Sequence, residues 1–258
     1  MVNPDWRTRC IGGLALEETQ ISWAFIDSGS VLVGSDDRSI LFGGIGPRHE
    51  VAIDYSFQVS KQILDLKEAV RISEDSNMEI VSESEWQLAY SRGQISGIDG
   101  SSEYLADSAQ EYWGKACDGR PFQSHPNSPK IIRRWKSGKA ESLTVFAQGT
   151  GNGDVADGVR LVIRENSGWS SNPLKIPEKR NISSIFIEEI LISLIVGIFP
   201  SFVWAFFNAS PGYIEEGWLN LVLGGAFFSI FTMLFWRPKQ PTWYIESGLM
   251  IALRGKKK

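Results

Sequence analysis

Two uncharged runs set close together constrain this chain more than any other feature. From Ile190 to Phe207 the sequence ILISLIVGIFPSFVWAFF carries no charge. With Ile185 to Ile187 ahead of it, the run is long enough as a helix to cover a hydrocarbon core of about 30 Å. A second run, Gly217 to Trp236, is also uncharged, and Trp218 and Trp236 fall where interfacial aromatic rings are favoured. Only Asn208 to Glu216 separates the two, so the helices are expected to return side by side as an antiparallel hairpin. Pro200 lies inside the first run, where membrane helices tolerate a kink once neighbouring groups satisfy the freed carbonyl. Ser193, Gly197, Ser201 and Ala205 recur every fourth residue, a stripe of small side chains along which a second backbone can approach closely. Gly225 and Ser229 offer the matching surface.

Basic residues set the expected orientation. Lys175, Lys179 and Arg180 precede the first run, and Arg237, Lys239, Arg254 and Lys256 to Lys258 follow the second, whereas the connection carries Glu215 and Glu216 and no basic side chain. Both flanks are therefore expected on the cytoplasmic side. Asn220 is the only strongly polar side chain within the spans, so an anchor is expected rather than a transport path, which needs ionisable groups in the membrane. The sequon Asn208-Ala209-Ser210 is followed by Pro211 and sits close to the bilayer, and it reads as accidental.

The rest of the chain leaves room for one soluble domain. A net charge of -4 argues against a nucleic-acid binder, whose footprint is a strongly basic surface. Cys10 and Cys117 are too few for a disulfide scaffold and lack zinc-site spacing, so free thiols are expected. Residues 1–21 read as an N-terminal extension with no apolar run suited to a signal peptide. Residues 22–165 form the expected domain, 166–184 a linker rich in Gly, Ser, Asn and Pro, 185–236 the helical hairpin, and 237–258 a basic cytoplasmic tail.

Within the domain, short strands and turns dominate. A turn at Asp27 to Ser30 joins two apolar stretches, and from Arg48 to Ser60 Val51, Ile53, Tyr55, Phe57 and Val59 alternate onto one face, the pattern of a half-buried strand. Ser82 to Arg92 reads as a short helix, with Ser82 as N-cap and Glu85 completing a capping box, and Trp86, Ala89 and Tyr90 on its buried face. Glu83 and Glu85 then complement the helix dipole without acid–base work.

The order SGSVLVGSDD, GPRHEVAIDYSFQVSK, IVSESEWQLAYSRG and DGVRLVIRE resembles the formylglycine-generating enzyme family, or sulfatase-modifying factor domain. The corresponding segments are Gly29 to Gly34, Pro47 to Lys61, Ser82 to Gly93 and Gly158 to Arg164, so the likeness covers Trp23 to Arg164. It implies an α+β, C-type-lectin-like fold for this domain, which the two transmembrane helices expected from the uncharged runs then follow. It also implies a reduced member, because only Asp65 to Ile80 intervenes where relatives carry a further helix. Catalytic members place a copper-binding cysteine pair just ahead of the final motif, and Ser137 to Asp157 here contains no cysteine. Iron-dependent relatives use three histidines, and this chain has only His49 and His125.

The expectation is therefore a non-catalytic binding module with no cofactor, attached to the lipid bilayer and recognising a protein or small molecule. The rivals are a metal-dependent oxidoreductase using His49, His125, Cys117 and Asp154, and a structural subunit of a membrane complex. His49 itself reads as a hydrogen-bonded strand residue. Asn152, Asp154 and Asp157 sit in a glycine-rich stretch where calcium ligands could converge, but Ile163 stands where an EF-hand needs Glu, and a tight turn is expected. The basic cluster Lys130, Arg133, Arg134, Lys136 and Lys139 around Trp135 reads either as a solvated hairpin or as the candidate binding surface, suited to anionic headgroups or acidic partners.

Overall fold

A computed structural model describes residues 20–145, 156–165, 169–210 and 212–255. Cys10, Asn152, Asp154, Lys256 to Lys258 and the N-terminal extension up to residue 19 lie outside the described residues. In chain order the elements are β1 (Trp23–Ile26), β2 (Gly29–Val33), β3 (His49–Ile53), β4 (Phe57–Ser60), α1 (Leu66–Asp75), β5 (Glu79–Ile80), α2 (Glu83–Ser91), β6 (Ser102–Ser108), β7 (Lys130–Lys136), β8 (Lys139–Val145), β9 (Gly158–Val159) and β10 (Leu161–Arg164). Then come α3 (Ile182–Ile192), a π-helical turn (Ser193–Ile198), α4 (Phe199–Asn208), α5 (Tyr213–Thr232), β11 (Thr242–Glu246) and β12 (Leu249–Leu253).

The domain is mixed α+β, with three small sheets ordered β1-β4-β10-β5, β12-β11-β3-β2 and β8-β7-β6-β9. The alternating run from Arg48 to Ser60, expected as one strand, is two strands in two sheets: β3 pairs with β2, and β4 pairs with β1 and β10. The alternation survives the switch because both sheets face one core. Val51, Ile53, Phe57 and Val59 all bury there with Trp86, Ile131 and Trp135. At the crossing, the half-buried Tyr55 donates its hydroxyl to Glu85 at 2.7 Å.

Two further expectations are corrected. Asp65 to Ile80 holds a ten-residue helix, α1, whose N-cap Asp65 accepts from the amides of Lys67 and Glu68 and which buries Ala69 against Leu64, Val159 and Leu161. Residues 237–258 are not simply a basic tail. β11 and β12 form an antiparallel hairpin, and β11 runs parallel to β3, with Trp243 opposite His49. The linker likewise packs on the domain, since Leu174 accepts from the Cys117 amide, Pro177 accepts from the Gly114 amide, and Ile176 is buried in the core.

The expected small-residue seam is where α3, the π turn and α4 meet α5. Ser193 lies 3.2 Å from Ser229, and the Ser201 hydroxyl donates to the Leu221 carbonyl at 2.8 Å, so the helices are antiparallel. At Gly197 an added Cβ would stand 2.0 Å from the Gly225 carbonyl oxygen, an approach only glycine permits. Pro200 has no amide to donate and its ring crowds the carbonyl four residues back. The π turn lies immediately before it and closes with the Phe199 amide donating to Leu194, five residues back. Ile182–Asn208 forms 27 continuous helical residues, long and apolar enough to cross a membrane, and 17% of its most apolar stretch is buried.

Candidate functional site at the domain–helix junction

The basic cluster spans β7 and the first residue of β8, and on β7 it divides into two faces because side chains alternate along a strand. Lys130, Arg134, Lys136 and Lys139 are exposed. Arg133 and Trp135 point to the core instead: Arg133 donates to Glu83 at 2.8 Å and lies 4.8 Å over the Trp86 ring, and the Trp135 indole donates to Glu103 at 3.0 Å. Neither is available to a lipid or partner at the surface. Reading consecutive basic residues as one patch ignored the two-residue period.

Arg133 belongs to a buried ionic cluster that the sequence reading missed. Glu83 also accepts from the Tyr112 hydroxyl. Lys115, fully buried, stands 3.1 Å from Asp107 and 3.8 Å from Glu83. Asp107 accepts from the amides of Glu83 and Phe122. Glu85 closes the expected capping box with Ser82 and also receives Arg164, at 2.6 and 2.9 Å. Arg160, between β9 and β10, is fully buried between Glu103 and the carbonyls of Ser60, Lys61 and Ser96. These charges are paired and hydrogen-bonded, the condition under which charge survives in an interior. They join α2 to the sheets and define a scaffold.

The remaining candidates are dispersed. His49 is buried and its Nδ1 lies 2.8 Å from the Pro47 carbonyl, so that nitrogen carries the proton and donates. Burial and the nearby Lys115 ammonium push its pKa down to about 3. Cys117 is a buried free thiol whose pKa burial pushes up to about 12. His125 lies in an exposed turn, with Nδ1 accepting from the Asn127 amide. Asp157 accepts from the amide and hydroxyl of Ser102. Among the described residues no group of three or more His, Cys, Asp or Glu side chains is placed to hold a metal ion.

What converges instead is the junction between domain and helices. Arg38, on the loop after β2, donates to Glu188 at 2.6 Å and to Glu189 at 2.7 Å, both on α3. Arg237, just past α5, donates to Glu189 at 2.9 Å and also to Thr232 and the Ser229 carbonyl. Arg254, at the end of β12, lies 3.5 Å from Glu188. The loop after β2 caps α5 as well, because the amides of Ile40 and Leu41 donate to the carbonyls of Met233 and Leu234, which have no partner further along the helix. Three segments far apart in sequence are thereby tied to the base of the helical hairpin.

A two-lobed cleft opens beside this network. One lobe, of about 300 Å³, lies under the loop of Gly43, Gly44 and Gly46. The other, of about 240 Å³, lies against the start of α3. Both lobes are lined by Arg38, Trp113, Arg180 and Gln240. Beside the cleft Ile40, Leu41 and Phe42 are all more than half exposed. The sequence signal for this site was present but distributed: Glu188 and Glu189 at the head of an apolar run, and basic residues on both flanks of the hairpin.

Comparison with protein-family models, with curated proteins and with solved structures yields no match to this chain.

Proposed function

We propose that this chain is a membrane-anchored, non-catalytic binding module. In this reading a formylglycine-generating-enzyme-like, C-type-lectin-like domain is held at the cytoplasmic face by a helical hairpin that crosses the bilayer twice. The observation that carries it is the return of the chain to its own domain. β3 precedes the helices and β11 follows them, yet the two are paired in one sheet. A chain that crossed once would have to pull β11 from β3. If Ile182–Asn208 crosses, Tyr213–Thr232 must cross back. The outer surface of the hairpin supports the same reading: Ile195, Phe199, Phe206 and Phe207 on one arm and Leu223, Phe227, Phe228 and Ile230 on the other are exposed, an apolar area far beyond what water-facing surfaces carry.

The family-like reading of the domain is supported by where its four segments lie. The second and fourth meet as β4 against β10, and the third supplies α2 and its capping box. The scaffold role of Glu83, Glu85 and Arg160 agrees with a domain whose motif residues hold its shape while its loops bind.

The reading is tested by alkaline carbonate extraction of membranes, and by protease treatment of sealed, right-side-out cells carrying an epitope at Lys258. The protein is expected to remain in the membrane pellet, with both the domain and the epitope protected. Extraction into the supernatant, or digestion of the domain or of the epitope, refutes it.

A further inference from the structure

The junction cleft has the chemistry of a phosphate-bearing amphiphile site, and we infer that it seats the headgroup of an anionic phospholipid; this rests on the membrane-anchored reading above. Arg38 is committed to Glu188 and Glu189, and its side chain is only 7% exposed. Lys179 and Arg180 are not so committed. Lys179 lines the lobe at the start of α3 and makes no ion pair among the described residues. Arg180 lines both lobes and, among the described residues, its one ion pair is with Glu111, at 3.8 Å with both side chains partly solvated, a contact of little strength. Arg254, 68% exposed, faces the same lobe. Lys179 and Arg180 thus stand ready to meet an anion, beside an Arg254 that already leans on Glu188.

Three further observations make that anion a lipid. Ser184, Ile185 and Glu188 line the lobe at helical spacing, so the cleft continues onto the face of α3 that leads into the apolar span. Trp113 and Trp243, edge to face at 6.4 Å, line the same lobe, and indole rings favour the headgroup level of a bilayer. The exposed apolar triplet Ile40, Leu41 and Phe42 is bonded through its backbone to the end of α5, so the bilayer surface that covers Phe235 and Trp236 also meets this rim. A free phosphate would account for the cations alone. It would explain neither the aromatic rim nor the apolar triplet.

The test uses the full chain reconstituted into nanodiscs made from an equimolar mixture of phosphatidylglycerol and phosphatidylcholine. Lipid retained through detergent extraction is then identified by mass spectrometry. Wild type is expected to retain phosphatidylglycerol preferentially, and each reversal, Lys179→Glu or Arg180→Glu, to reduce that preference about five-fold. Reversal of Arg134 and Lys136 on the β7–β8 hairpin is expected to leave it unchanged. Equal retention of the two lipids, or loss of preference only on the Arg134 and Lys136 reversal, overturns the inference. So does displacement of the retained lipid by millimolar inorganic phosphate, which would mark a phosphate site. Carbonate extraction of the membranes from which the protein is purified separates the two readings: protein that stays in the membrane pellet without a lipid preference sinks the headgroup site alone, and protein that is extracted sinks the anchor.

Discussion

Acid should unfold this protein through His49 before it unfolds it through carboxylates. His49 is fully buried, donates from Nδ1 to Pro47, packs against the Tyr112 ring at 5.1 Å and lies near the Lys115 ammonium. Burial first, and Lys115 second, depress its pKa to about 3 from an ordinary 6.5. The unfolded chain therefore takes up a proton below pH 6.5 that the folded chain refuses, so stability falls as pH falls through that value. At pH 5 the gap is about 1.5 pH units, a loss of about 2 kcal/mol relative to pH 7. With a urea dependence of about 2 kcal/mol per molar, the unfolding midpoint should drop by about 1 M. The assay is tryptophan fluorescence of the full chain in detergent micelles, since Trp86 and Trp135 are buried in the core and report its unfolding. The window from pH 7 to 5 reports on histidine because the chain has only His49 and the exposed His125. His49→Asn keeps a donor near the Pro47 carbonyl and removes the titration. It should be less stable at every pH yet lose nothing further between pH 7 and 5. An unchanged slope in that variant would refute the reasoning.

Gly197→Val should force the helices apart at Gly225 and weaken the hydrogen bonds at Ser193 and Ser201, costing about 1–3 kcal/mol. Disulfide cross-linking between cysteines placed at 193 and 229 reads this, and Gly224→Val, which meets nothing within 4 Å, should leave cross-linking intact. Lys115→Met leaves Asp107 and Glu83 with an uncompensated buried charge and should cost about 3–5 kcal/mol in urea unfolding, partly recovered by adding Asp107→Asn. In a Cys10→Ser background Cys117 should resist iodoacetamide at pH 8 until denaturant is added, because its pKa near 12 and its burial withhold the thiolate.

The features legible in the sequence are those whose physics is local. The Ser82 and Glu85 capping box needs only a three-residue spacing, and the seam of Ser193, Gly197 and Ser201 needs only helical periodicity. α1 was legible in principle, since Asp65 is an N-cap followed by Leu66, Ala69 and Ile72 at helical spacing, but polar residues between them diluted the pattern. Arg133 and Trp135 failed for a different reason: composition counts charges, whereas a strand assigns them to faces. The switch at Tyr55 left no mark because two sheets burying one core preserve the same alternation.

The junction was the hardest part to read, and the reason is the separation of its partners. Arg38 meets Glu188 across 150 residues, and Lys239 meets Asp36 across 203. No local pattern encodes such pairs. Basic residues flanking an apolar run have a sufficient explanation in membrane orientation, so nothing in the sequence demands a second role for them. Yet the fold requires one. Glu188 and Glu189 stand at the head of an apolar helix, and on the membrane-anchored reading proposed above an acidic pair at that level would face a headgroup region unpaired unless cations came from the domain itself. Arg38 supplies one from the loop after β2, Arg237 another from the end of α5, and Arg254 a third from β12. The network works only if the segment after the helices folds back, which is what β11 does by pairing with β3. The closing hairpin, the ion pairs and the cleft are thus consequences of one arrangement, in which the helices are inserted into the domain between β10 and β11. That arrangement leaves Lys179 and Arg180, just ahead of α3, as the cations the network does not consume.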